Sequence, residues 1–169
     1  MLSKDEFREH MRSWRMSAWR WECQGVYREP SEKEPLRRFL AGQPDLDWFQ
    51  GWLGRVRAWK AAGQSIGRVR MLTDPLTDYL RFELSITPPA LDAGEDIRFL
   101  PAVQAAELGA PTEDYWLLDD EVVLELRFGE QGVSGAELIT EPGKVLAYRA
   151  WRDTASAAAV PFTDLHLTT

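Results

Sequence analysis

The side chains best suited to acid–base or nucleophilic chemistry are scarce in this chain: His10 and His166 are its two histidines and Cys23 its single cysteine. A Ser-His-Asp or Cys-His engine needs an imidazole held within hydrogen-bond reach of a nucleophile. Neither histidine has an anchored context, since His10 falls in a helical stretch and His166 in a polar tail, so catalysis through His10, His166 or Cys23 is not expected. One cysteine forms no internal disulfide, and one cysteine with two histidines builds no Cys/His zinc cluster within a chain. No cofactor is expected, while carboxylate-bound magnesium or calcium stays open. Gly63-Gln64-Ser65-Ile66-Gly67-Arg68 lacks the glycine spacing, lysine and hydroxyl residue of a phosphate-cradling Walker loop. Asp119-Asp120-Glu121 could hold a cation or supply a base, but its place between two strands favours a solvated hairpin corner.

The more telling set is Arg68, Arg70, Arg81 and Glu83, with Asp78 and Tyr79 beside them. Read as alternating strands, these residues project from one sheet face, where guanidinium forks suit an anionic or planar ligand and a glutamate holds a fork in place when the site is empty. Covered by helices, such charges must pair or bind something; facing water, they are only the outside of a sheet. Six tryptophans (Trp14, Trp19, Trp21, Trp48, Trp52 and Trp59) crowd the first 63 residues among arginines that could stack on a ligand. Their helical spacing favours core packing, with Trp14, Trp52 and Trp59 mostly buried. Trp19 lies off that stripe and is the tryptophan expected to touch a partner.

Three helices are expected to carry these residues: Lys4 to Glu22, with Phe7, Met11, Trp14, Ala18 and Trp21 on one face; Ser31 to Leu40, opened by a capping box from Ser31 to Glu34; and Asp45 to Gly63, capped by Asp45. Gly51 and Gly54 read as close-packing devices in the third. Beyond residue 63 the period falls to two. Ile66 to Leu72 and Leu80 to Ile86 read as antiparallel neighbours, because the connector Thr73 to Asp78 is too short for a crossover helix. Ile97 to Leu100 is a further strand, 102–113 a helical turn and loop, and Tyr115 to Leu118, Val122 to Phe128 and Val133 to Ile139 a meander. A last helix is capped by Thr140 and ended by Pro161. The expectation is an α+β single domain over 1–169, with a helical part at 1–63, a mostly antiparallel sheet of about six strands at 64–140, a closing helix at 141–160 and a tail at 161–169.

The net charge of −7 argues against a nucleic-acid coat, so no direct nucleic-acid contact is expected. The charge is uneven: residues 1–63 hold 12 Lys and Arg against 9 Asp and Glu, and residues 64–169 hold 8 against 18. Acidic residues interrupt every apolar run before the roughly 20-residue length a bilayer span requires, and the start lacks the pattern of a secretory signal. No membrane contact and a cytoplasmic location are expected.

Several segments carry a resemblance: Ser17-Ala18-Trp19-Arg20-Trp21-Glu22, Arg38-Phe39-Leu40-Ala41-Gly42, Asp74-Pro75-Leu76-Thr77-Asp78-Tyr79-Leu80-Arg81-Phe82-Glu83, Gly94-Glu95-Asp96-Ile97-Arg98-Phe99-Leu100-Pro101, Asp114-Tyr115-Trp116-Leu117-Leu118-Asp119 and Tyr148-Arg149-Ala150-Trp151-Arg152. Through them the chain resembles an uncharacterised domain family common in actinobacteria, whose members often stand beside helix-turn-helix regulators and small partner proteins. The closing pattern is also similar to the C-terminal sensing domains of some such regulators. The resemblance implies no catalytic residues and a possible regulator as partner. Together with the arginine-rich face it points to a non-enzymatic regulatory or interaction module that binds a protein partner or a small anionic ligand through Trp19, Arg68, Arg70, Asp78, Tyr79, Arg81 and Glu83. The alternative is a small enzyme acting on a phosphate- or nucleotide-containing substrate, with Arg68, Arg70 and Arg81 clamping the anion and Glu83 or Asp78 as base.

Overall fold

A computed structural model describes residues 1–167. The chain opens with a two-residue strand, β1 (Leu2–Ser3), and a helix, α1 (Lys4–Ser13), locked by a reciprocal cap in which the Glu6 N–H donates to Ser3 Oγ and the Ser3 N–H donates to Glu6 Oε2. The helix then stops nine residues earlier than its apolar spacing suggests, and Ser17–Glu22 is a strand, β2. The stripe of Trp14, Ala18 and Trp21 is ambiguous because a central strand buried on both faces shows no polar alternation. The switch is fixed from outside the segment: the Asp119 carboxylate accepts the N–H groups of Arg15, Met16 and Ser17 at 2.6–3.1 Å.

Helices α2 (Lys33–Leu40) and α3 (Gln50–Ala61) form the crossover to β3 (Ser65–Leu72). Helix α2 lies where expected, but Ser31 sits in a preceding 3-10 turn and makes no capping box, and Asp45 caps the turn ahead of α3 by accepting from the Asp47 N–H. The segment read as a strand from Leu80 to Ile86 is instead helical, as α4 (Asp78–Ser85) followed by α5 (Thr87–Ala93). Thr77 decides it by accepting from the Leu80 N–H at the first turn. The alternation of Leu80, Phe82 and Leu84 misleads because this helix is buried over most of its surface, with Tyr79 and Glu83 buried too and only Asp78, Arg81 and Ser85 exposed.

The remaining elements are β4 (Asp96–Pro101), α6 (Ala102–Glu107), β5 (Tyr115–Leu118), β6 (Val122–Gly129), β7 (Gly132–Ile139), α7 (Pro142–Ala158) and β8 (Val160–Pro161). The meander is where the alternation places it, whereas α7 has Glu141, not Thr140, at its N-cap position. The architecture is α+β, but the sheet has eight strands in the order β1-β7-β6-β5-β2-β3-β4-β8, and it is mixed. β2, β3 and β4 run parallel to one another, while every other neighbouring pair is antiparallel. The antiparallel pairing expected for Ile66 to Leu72 therefore gives way to two parallel neighbours joined through helical crossovers.

One face packs against α3, α4 and α5 through Ala18, Ile66, Ile97, Phe99 and Leu124, and the other against α6 and α7 through Trp21, Val69, Tyr115 and Val123. Trp14 is buried with its ring centroid 4.9 Å from that of Trp59, whereas Trp52 and Trp59 are half-buried. Neither Gly51 nor Gly54 is a close-packing device, since a Cβ at either position would meet nothing within 4 Å. Gly135 does require glycine, because a Cβ there would collide with the Leu2 carbonyl oxygen and expel β1, which anchors α1 at the sheet edge.

Candidate functional site

Strand alternation sends Ala18, Arg20 and Glu22 of β2 to the face under α3 and α4, and Trp19 and Trp21 to the other. In register across the strands, one row runs Trp116, Arg20, Arg68, Ile97 and the next holds Glu22, Arg70 and Phe99. Two arginines thus lie side by side on adjacent strands, a placement that needs carboxylates in immediate reach. Glu22 is the hub. Its Oε1 lies 2.7 Å from Arg68 Nη1 and 3.7 Å from Arg20 Nε, and its Oε2 accepts from Arg70 Nε at 2.6 Å. The outer bonds go to Asp114 from Arg20 (3.0 Å), to Glu95 from Arg68 (2.7 Å) and to Glu83 on α4 from Arg70 (2.8 Å). The guanidinium of Arg68 also lies 5.5 Å from the Trp52 ring and 5.8 Å from Trp116, and that of Arg20 lies 5.6 Å from Trp116.

Burial opposes ionisation of Glu22, but Arg70, Arg68 and Arg20 outweigh it and hold the carboxyl well below the usual range. Burial likewise works against charge on Arg20 and Arg70; Glu22 with Asp114 for the first, and Glu22 with Glu83 for the second, overcome it and raise both. Glu32 behaves in the opposite way. Burial, then the adjacent Glu83 charge, push its carboxyl up to about 9, while the Tyr79 hydroxyl donates to it at 2.9 Å. Burial and that charge both favour the protonated form of Glu32 beside Glu83. Asp114 is the second anchor: it accepts from Tyr27 Oη at 2.6 Å and from the N–H and thiol of Cys23, whose pKa burial and this carboxylate push up. Cys23 is a donor locked to Asp114, far from the thiolate form that nucleophilic chemistry needs.

Above this network lies an open cleft of about 990 Å³. Its floor includes Arg20, Glu22, Arg68, Arg70 and Trp116; one wall is α1, through Phe7 and Met11, and the other is Trp48, Trp52 and Trp59 at and in α3. Tyr79, Glu83 and Glu32 close one end. Two donors lining the cleft, Arg20 Nε and Trp48 Nε1, are buried with no hydrogen-bond acceptor among the described residues.

A family model described as "Domain of unknown function (DUF6879)" matches residues 5–166, nearly the whole chain and every strand of this network. The chain belongs to the DUF6879 family. Membership bears out the resemblance at the level of an uncharacterised domain family, and it assigns no activity to the cleft. No curated protein matches the chain.

Of the residues singled out from this DUF6879 sequence, the structure brings Arg68, Arg70, Glu83 and Tyr79 together and leaves three apart. Glu83 arrives from helix α4 above the sheet, not from a neighbouring strand, and Tyr79 comes with it. Arg81 and Asp78 lie on the exposed side of α4, bonded to each other at 3.0 Å, because a helix rotates residues 78 and 81 away from 79 and 83. Trp19 is half-buried on the opposite sheet face, with its ring 5.8 Å from that of Tyr115. The question of cover is also answered: the arginine-bearing face lies under helices, and Arg70 is only 4% exposed. Glu22, Glu32 and Asp114 were not singled out, and Arg20 and Glu95 stood outside the expected site. The signal for Arg20 and Glu22 was present as Trp19-Arg20-Trp21-Glu22, a strand with charged residues at every second position, hidden by its reading as a helix. His10 lies half-buried on α1 and His166 near the chain end, neither in the network. Asp119 and Asp120 form the expected hairpin corner with φ of 54° and 58°, and Asp119 is further employed in holding the α1–β2 turn.

Proposed function

We propose that this domain is a non-enzymatic regulatory module that binds a small ligand in the cleft between α1 and α3. The observation that carries it is the placement of a buried ion network on the floor of an open cleft. Buried ion pairs contribute little net stability compared with well-packed apolar residues, so a three-arginine, multi-carboxylate floor under an open mouth is better explained by recognition than by folding. Half-buried aromatic walls with a few fixed polar groups are the usual composition of a ligand site. The floor groups restrain one another, which suits binding more than turnover.

On this reading the module works in the cytoplasm beside a helix-turn-helix regulator, in keeping with the actinobacterial family that the sequence resembles, and ligand occupancy is read out through α1, which is held to the sheet mainly by β1 and β7. One observation favours a second reading, an enzyme acting on a phosphate- or nucleotide-containing substrate: protonated Glu32 at the end of the cleft is poised as a general acid. Arg81 and Asp78, outside the cleft, have no part in either.

Gly51 supplies the test, because it lines the cleft and its Cβ direction is open. Native mass spectrometry of the protein purified from its own cells is expected to reveal a bound small molecule that Gly51→Phe loses while its melting point is unchanged or higher. Arg81→Ala, outside the cleft, should retain it. Equal retention by Gly51→Phe and wild type would overturn the cleft as the site, and release of the molecule in a chemically altered form that Glu32→Gln prevents would favour the enzyme.

A further inference from the structure

We infer that the ligand of this cleft is a planar heteroaromatic ring bearing a phosphate, of which a nucleoside monophosphate is the simplest form; the inference rests on the cleft being a ligand site. Three features of the cleft divide the work. The walls are apolar and partly aromatic on both sides, Phe7 and Met11 facing Trp48, Trp52 and Trp59, all of them half-buried and so able to cover the faces of a flat ring. Two buried donors of residues that line the cleft, Arg20 Nε at the floor and Trp48 Nε1 in the wall, have no acceptor among the described residues, and a ring inserted between the walls would bring acceptors to them. Ring nitrogens and carbonyls are acceptors of that kind.

The floor is a poor place for the phosphate, even though it holds three arginines. Arg68 and Arg70 each already contact two carboxylates, and Arg20 contacts Asp114 with Glu22 nearby, so an anion arriving there would meet Glu22, Glu83 and Glu95 as well. The mouth is different. Half-buried Lys4 and exposed Arg12 of α1 and exposed Arg55 of α3 line the cleft from its two walls and have no carboxylate partner among the described residues. Arg8 joins them, paired only with the exposed Asp5. Gathering four basic side chains at one opening of a chain with net charge −7 creates a local field that attracts an anion and leaves it solvated at the rim. Arg55, lying 5.3 Å from the Trp52 ring, joins the two halves of the site, since it can bond a phosphate while covering the aromatic wall.

Tryptophan-fluorescence or calorimetric titration of the full chain with AMP, GMP, CMP and UMP, with the four nucleosides and inorganic phosphate alongside, tests this. At least one monophosphate is expected to bind about tenfold or more tightly than its nucleoside and than phosphate alone. The Arg12→Ala/Arg55→Ala double variant, both positions being exposed, should fold as wild type and lose that advantage. The inference is overturned if no monophosphate binds below about 1 mM, if inorganic phosphate binds as well as the nucleotides, or if the double variant keeps the preference. Tighter binding of a short single-stranded oligonucleotide than of any mononucleotide would overturn the small-molecule assignment in favour of nucleic acid. Should the nucleotides fail while Gly51→Phe still loses the co-purified molecule, the ligand class is wrong and the cleft stands; should both fail, the cleft itself falls.

Discussion

Glu22→Gln is expected to cost about 3–5 kcal/mol of folding stability, because it leaves three guanidiniums short of their shared counter-charge in a buried site. Glutamine keeps the shape of the side chain, so lost packing makes a small contribution and the electrostatic loss dominates. Arg68 and Arg70 would each retain one carboxylate, Glu95 and Glu83, but Arg20 and Arg68 stand in register on adjacent strands and their repulsion would go unopposed between them. Urea unfolding measures the change. A loss under about 1 kcal/mol, within the range of an exposed ion pair, would mean that the network is far more hydrated than its burial implies. The pH dependence follows in sign. The folded-state pKa of Glu22 is depressed below the ordinary value of 4.5, so its contribution is present above that pH and is lost as the pH falls toward the lower folded value. Wild type should therefore lose stability on acidification below about pH 4.5 more steeply than Glu22→Gln does.

Glu32→Gln should act in the opposite direction and over a different pH window. The folded protein keeps the Glu32 proton up to about pH 9, whereas the unfolded chain releases it from about 4.5 upward. Unfolding thus releases a proton between these values, and the stability contributed by Glu32 is full below about 4.5 and lost as pH rises toward 9. The slope is up to about 1.4 kcal/mol per pH unit for one proton. Glutamine reproduces the protonated carboxyl without this linkage, so the variant should match wild type near pH 4.5 and exceed it increasingly up to pH 9. Parallel stability profiles of the two proteins across that range would show that Glu32 is ionised beside Glu83 in the native state.

What could be read from the sequence follows a physical dividing line. The meander from Tyr115 to Ile139 and the strand at Ile97 to Leu100 were legible because their pairing is local or their ends are punctuated by proline and turn residues. Two segments misled. Ser17–Glu22 is a strand buried on both faces, so its apolar spacing also satisfied a helix, and the interaction that makes it a strand comes from Asp119, about a hundred residues away. Asp78–Ser85 is a helix buried on most sides, where Leu80, Phe82 and Leu84 mimic a period of two, and the signal for the helix is Thr77, whose side chain caps its first turn. Arg68 and Arg70 survived these errors for a definite reason. They lie in β3, the one segment of the set read with the right period, whereas Arg81 depended on the strand reading and left the site with it. Arg20 and Glu22 become visible as a site only once parallel pairing of β2 with β3 sets them beside Arg68 and Arg70, and Asp114 only once antiparallel β5 lies along β2.

The central claim, a small-ligand cleft between α1 and α3, is tested most directly by the indole N–H signals of the eight tryptophans in the ¹⁵N-labelled protein. Resolved and assigned by single Trp→Phe changes, they report on both faces of the sheet at once. When the small-molecule fraction of the native cell extract is added, Trp48, Trp52 and Trp59, which line the cleft, should shift together, while Trp19 and Trp151, packed on the opposite face, should hold still. Shifts confined to Trp19 and Trp151, or none at any tryptophan with a ligand demonstrably bound, would contradict the account.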